Sequence, residues 1–279
     1  MINGTRFRMD TDIARQTNLA ARIARGQSDI ATGKRLQVAS DDPAASARIA
    51  VLRQQEIDTR SWTANADGAA SVAARADSAL GAIGQLLDRA RELATSAASD
   101  TLNDADRAGI ASELVGIATE IDGLGGETDA GGARVFPVGA ALDVPVGRGL
   151  TLAATTTYAN AFTVATTGGP VDMAVVLRNA AAMLNAGPAA RATALANVTA
   201  ASDHMAAVRG EQGTRAARID SARDRLVTVQ TSGTEERQAL EATDVSGTVA
   251  RIQGDQLALD AAQALFAKVN RRTLFDLLG

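Results

Sequence analysis

The two ends of this chain carry the same heptad seam, more than 200 residues apart. Met9, Ile13, Gln16, Ala20, Ile23, Gln27 and Ile30 follow a 4-3-4-3-4-3 spacing, and Val245, Val249, Ile252, Gln256, Leu259, Gln263 and Phe266 repeat it. A 3.5-residue repeat keeps one narrow stripe of a helix facing a partner helix, the arrangement of coiled coils. Two such stripes so far apart predict a chain that leaves along one helix and returns along another. Glutamines at seam positions weaken a closed two-helix core and suit a larger assembly in which polar contacts set the register. The ends are therefore expected to pack against something further, copies of the same chain included.

Composition narrows the choices. Apolar residues make up 46% of the chain but aromatics only 3%, with Trp62 and Tyr158 the single examples of their kind. Alanine fills the remainder, which suits closely packed long helices better than a core of large side chains. The formal net charge is -4, and 28 basic residues are spread among 32 acidic ones with no basic stripe, so no nucleic-acid partner is expected. There is no cysteine, which excludes disulfides and thiolate metal sites. No apolar run approaches the ~20 residues that span a bilayer, so no membrane insertion is expected. The first residues, MINGTRFRMDTD, lack the apolar stretch of a secretory signal, so export is expected by a route that does not read one.

A first helix is predicted from Met9 to Thr32, stopped by Gly33, with a loop from Lys34 to Ser40. Asp41, Asp42 and Pro43 then form a helix start, because a carboxylate caps free N–H groups and proline suits the first helical position. From Ala44 to about Ala98 no proline interrupts the pattern, a helix of ~80 Å at 1.5 Å per residue. Asn103 with Asp106 resembles a capping box ahead of a helix carrying Ile110, Leu114, Ile117 and Ile121 and ending at Gly125-Gly126. Between Glu127 and Pro170, alternation at Leu142/Val144/Val146, Leu150/Leu152 and Phe162/Val164 predicts short strands. A helix from Val171 to Ala186, closed by Gly187-Pro188, follows. Val198, Met205, Gln212, Ile219 and Leu226, with Leu240 in phase, form a second long seam, and a phase shift before Val245 predicts a break. The fold class is mainly α with a small inserted β-rich domain, built on a long antiparallel helical rod or coiled coil from the N- and C-terminal segments.

Chemistry finds little support. His204 is the only histidine, and without cysteine there is no basis for a His/Cys metal cluster or a Cys–His pair. It is read as a solvent-facing helical residue between Asp203 and Met205. Gly131-Gly132 and Gly168-Gly169 match neither phosphate-binding pattern and read as turns. Asp41-Asp42 could ligate a cation, but beside Pro43 the capping role is preferred. No catalytic residue, cofactor or metal is expected, and no enzyme.

The run from Thr32 to Ala45, TGKRLQVASDDPAA, resembles the N-terminal signature of the bacterial flagellin superfamily. Its SDDPAA form resembles the hook–filament junction branch of that superfamily. Thr101 to Arg107, TLNDADR, resembles the family's hairpin turn, and the tail Leu274 to Leu278, LFDLL, its ending. Arg134-Val135-Phe136-Pro137 departs from the family's usual Arg-Tyr-Leu-Phe-Gly. The resemblance implies a flagellar structural subunit that joins hook to filament, exported unfolded through the flagellar type III system and extracellular. It implies terminal helices 1–40 and 245–279 as the polymerisation core, a helical rod domain of 41–128 and 196–244, and an inserted, outward-facing β-rich domain of 129–195. Subunit packing then falls to Ile13, Ile23, Ile30, Val249, Ile252, Leu259 and Phe266. The implied partners are copies of itself in a ring or tube, a neighbouring hook-associated protein and flagellin, and an export chaperone on the C-terminal helix. Two other readings fit the same ends: a short flagellin, or a surface-exposed flagellin homologue that binds a ligand or glycan through Thr155–Thr157 and the β module.

Overall fold

A computed structural model describes the backbone of residues 2–275 and the side chains of 7–268. The tail motif from Asp276 onward lies outside the described residues. Among the described residues, seven helices and four strands follow in the order α1 (Ile2–Thr32), α2 (Pro43–Ala97), α3 (Asp104–Gly125), β1 (Asp143–Gly147), β2 (Leu150–Ala153), α4 (Tyr158–Phe162), β3 (Thr163–Thr166), β4 (Gly169–Asp172), α5 (Met173–Met183), α6 (Pro188–Glu241) and α7 (Val245–Phe275). The helix starts sit where local chemistry puts them. Asn103 accepts from the Asp106 amide at 2.8 Å, and Asp172 accepts from the Ala174 amide at 3.0 Å. Because Asp172 holds that cap, α5 begins at Met173 rather than Val171. Helix α1 begins at Ile2, ahead of the seam's first residue, since no proline interrupts the stretch before Met9.

The chain divides into two compact units, residues 1–56 with 231–279, and residues 57–230. In the first, α1 and α7 pair antiparallel. Arg22 meets Asp255 and, one turn on, Gly26 faces Ile252 and Thr248. Their connecting loops are stitched together. The Arg35 amide donates to the Glu241 carbonyl at 2.8 Å and the Thr243 amide to the Gly33 carbonyl at 3.1 Å, around an antiparallel bridge of Lys34 with Ala242. Gly33 takes a φ of 67°, the left-handed conformation that stops α1. In the same unit the start of α2 and the end of α6 are tied by Arg48, whose guanidinium donates to Glu236 at 2.6 and 2.8 Å.

The second unit has one main core. Leu80, Ile83 and Leu87 of α2 pack with Leu114 and Ile121 of α3 and with Val198 and Met205 of α6. The long seam of α6 is buried at Val198, Met205, Gln212, Ile219 and Leu226. Residues 129–195, expected as a separate outward-facing domain, do not stand apart. Phe136, Phe162, Val164, Met173 and Leu177 are buried in the same core as Leu80 and Ile83. The β1–β2 hairpin lays Val146 on Ala66, Ala222 and Leu226, with Trp62 at the edge. The reason is size: two isolated two-stranded hairpins and a short helix cannot bury a core of their own, so their apolar faces close on the helices.

The hairpins pair antiparallel, β1 with β2 and β3 with β4. Strand β4 was not expected, since Pro170 obscures its pattern, and Phe162 closes α4 instead of opening a strand. Thr155 and Thr156, expected to offer a binding surface, are buried, and Thr155 Oγ1 donates to the Val135 carbonyl at 2.7 Å. Thr157 caps α4. His204 is half-buried rather than solvent-facing, with Nε2 3.2 Å from the Asn160 carbonyl. Among the described residues no helix is long and apolar enough to cross a membrane.

Candidate subunit-packing site

The α1–α7 pair gathers the seam residues of both ends onto one two-helix element, but it does not cover them all. Ile23 is buried; Ile30, Ile252, Leu259 and Phe266 are half-buried. Ile13 and Val249 remain exposed, as do Met9 and Val245. Off the seam, Leu257 is 73% exposed and Leu265 64%. Two helices alone offer each other one stripe apiece, so apolar residues away from their contact are left uncovered by the pair.

The two helices approach tightly at Gly26. A Cβ built there would lie 2.8 Å from Ile252 Cγ1 and 3.0 Å from its Cδ1. Only glycine lets Ile252 seat this deeply. Sequence reasoning passed over this residue, although a lone glycine inside a helical pattern was the available signal. Arg22 locks the register by donating Nε to Asp255 Oδ2 at 3.0 Å, with a second contact through Nη2.

The loop after α1 divides its two aspartates between two tasks. Asp42 is the cap of α2, its Oδ1 accepting from the Ala45 amide at 3.0 Å, with Pro43 as the first helical residue. Asp41, expected to share that cap, does not. Its Oδ2 accepts from the Gln37 and Val38 amides at 3.0 and 3.1 Å, and its Oδ1 meets Arg25 of α1. The Arg25 guanidinium, with those two amides, pulls the Asp41 carboxyl down to about 2. The geometry has a local cause. A helix start needs one side-chain acceptor at its cap, leaving the neighbouring carboxylate free to close the loop behind it.

Glu241, at the end of α6, is the second anchor and was not foreseen. Its carboxylate lies 3.3 Å from Lys34 Nζ, 3.3 Å from Arg53 Nη2 and 3.8 Å from Arg237 Nη1. Burial pushes its pKa up, but the three cations, Lys34 foremost, outweigh burial and hold it below the usual carboxylate value. Asp244 caps α7, accepting from the Gly247 amide at 3.1 Å. These contacts are mechanical: they position helices and close loops. Among the described residues no group of three or more His, Asp or Glu side chains is placed to hold a metal ion.

Residues 11–138 match the family of the bacterial flagellin N-terminal helical region. No curated protein matches the chain by sequence. Several solved structures share its fold. A structure from Vibrio parahaemolyticus, named as a flagellar hook-associated protein, superposes with a TM-score of 0.57 at 20% identity over 73% of this chain and 97% of that one. The flagellar junction protein FlgL from Legionella pneumophila gives 0.56 at 13% identity over 70% of this chain and 100% of that one. FlgL from Xanthomonas campestris gives 0.53 at 15% identity over 60% and 94%. The loop between Gly33 and Asp42 lies within residues 11–138, the part of the chain that is similar to the bacterial flagellin N-terminal helical region.

Proposed function

We propose that this chain is a structural subunit of the bacterial flagellum, placed at the junction between hook and filament. Copies assemble into a ring or tube through the α1–α7 pair, with a hook-associated protein on one side and flagellin on the other. The observation that carries the reading is the set of large apolar residues that the pair leaves uncovered: Met9, Ile13, Val249, Leu257 and Leu265 are exposed on helices already paired with each other. A surface of this kind needs protein cover in water. The fold shared with two FlgL structures supports the junction over other positions in the flagellum. In this reading the chain has no catalytic role, leaves the cell unfolded by the flagellar export route, functions outside it, and meets an export chaperone on α7 beforehand.

The test uses a strain lacking the gene, complemented with the full chain or with Ile13→Glu and Leu257→Glu together. Both positions are exposed, so the purified variant is expected to keep its helix content and melting temperature. Cells carrying it are expected to stop swimming and to shed unpolymerised flagellin into the medium. Normal swimming by the variant would remove the terminal pair from the assembly. A short flagellin remains the second reading, since the matching family is that of flagellin. Fluorescent labelling of the assembled protein separates the two: a single spot at the filament base supports the junction, and label along the filament supports a flagellin.

A further inference from the structure

One groove of the second unit has mostly aliphatic large side chains in its lining. It lies where α2 meets the segment 129–144, and it holds about 680 Å³, the size of a small-molecule site. Val72 and Val144 line it half-buried, while Val138 and Leu142 line it at 70% and 76% exposed. Apolar side chains left this open in water gain from cover. On the α2 side Ala64, Gly68 and Ala69 keep the groove wide, and a Cβ built on Gly68 would meet nothing within 4 Å.

Its polar groups are few, and most are committed within the chain. The Asn65 amide donates to the Pro145 carbonyl at 2.9 Å, and Thr155 Oγ1 donates to the Val135 carbonyl at 2.7 Å. Asp129 is the only carboxylate in the lining, and its Oδ1 accepts from the Gly131 and Ala133 amides at 2.8 and 2.9 Å. Arg75 and Arg134 also line the groove and form no ion pair among the described residues. The acids nearest in sequence, Asp77, Glu127 and Asp143, are not part of the lining. Two guanidiniums against one carboxylate leave one positive charge in excess.

We infer that this groove binds an aliphatic monocarboxylate, its alkyl chain covering Val72, Val138, Leu142 and Val144 and its carboxylate meeting Arg75 and Arg134. The planar guanidinium fork suits a carboxylate, and a single negative charge balances the excess. A sugar would find Ser71 as the one uncommitted side-chain hydroxyl in the lining, too little to replace its bonds to water. An aromatic ring would find no aromatic side chain there to stack on. The inference goes beyond the assembly reading and does not depend on it.

The test titrates decanoate, below its micelle-forming concentration, into the purified full chain by calorimetry. Saturable one-to-one binding is expected, with a raised melting temperature. Decanol has the same chain without the charge and is expected to bind about tenfold more weakly. Arg75→Gln with Arg134→Gln should erase that difference. Gly68→Leu should block both ligands without lowering the melting temperature of the free chain, since the position is open and leucine is the better helix former. Absence of saturable binding overturns the inference. So does binding that Gly68→Leu leaves intact, or binding that fails to distinguish decanoate from decanol. A native chain with no affinity for decanoate, whose Gly68→Leu variant stops cells swimming, would assign the groove to a neighbouring copy instead.

Discussion

At the scale of single residues, Asp41 shows how much one carboxylate organises. Arg25 and the Val38 and Gln37 amides hold its pKa down from the usual 3.8 to about 2. A carboxyl lowered by folding contributes stability wherever it is ionised in the folded chain. That contribution is complete above the unfolded value and fades as pH falls from about 4 towards 2. The Gln37 and Val38 amides point at this carboxylate, so their hydrogen exchange reports it. In the native chain their protection is expected to fall through that acid window faster than that of amides in the middle of α2. In Asp41→Asn they should be weakly protected at every pH, with no acid step. Unchanged protection of Val38 in the variant would show that the loop is held by its other contacts. Asp42→Ala differs in kind: it frees the Ala45 amide at the start of α2 and should lower the melting temperature with little effect on the loop.

At the scale of elements, what was legible in the sequence follows what is periodic. The seam of α6, the cap at Asn103 and the break before Val245 are local patterns that appear in the structure where the pattern puts them, whereas the seams of α1 and α7 are covered only in part. The split roles of Asp41 and Asp42, and the Glu241 anchor, were illegible because they depend on Arg25, Lys34 and Arg237 arriving from elsewhere in the chain. Strand β4 was hidden by Pro170, which lowers strand propensity without preventing pairing at an edge. The α1–α7 pair offers a test of such a long-range contact. Gly26→Ala raises helix propensity by about 1 kcal/mol, yet its methyl would stand 2.8 Å from Ile252 Cγ1. Overpacking of that kind costs about 1–3 kcal/mol, so the substitution is expected to be neutral or destabilising for the pair. Ile252→Ala removes the obstructing atoms. The double variant should therefore be more stable than the sum of the two single changes predicts, by about 1 kcal/mol or more in a double-mutant cycle. Additive melting data would mean that α1 and α7 do not meet at Gly26 in solution.

At the scale of the whole chain, the question is whether residues 129–195 are an appendage or part of the frame. Their Gly-rich beginning and the Gly187-Pro188 close read as domain edges, and by that reading a short linker could replace them. The burial of their side chains says otherwise. Phe136 and Phe162 meet edge to face with ring centroids 5.2 Å apart, inside the core that Leu80, Ile83 and Leu87 of α2 and Met205 of α6 also form. Removing one buried phenylalanine costs about 3–5 kcal/mol. The segment supplies two of them together with Val164, Met173 and Leu177, while a domain of this kind is stable by only about 5–15 kcal/mol in total. Replacing residues 129–195 by a Gly-Ser linker is thus expected to leave residues 57–128 and 196–230 without a cooperative melting transition and prone to aggregate. Phe162→Ala alone should keep the fold but lower its melting temperature by several degrees. Circular dichroism and calorimetry on the full chain and on both variants measure this directly. A soluble linker variant melting at the native temperature would return the segment to the status of an appendage. It would also mean that α2, α3 and α6 close a core without it, which the positions of Phe136 and Phe162 do not allow.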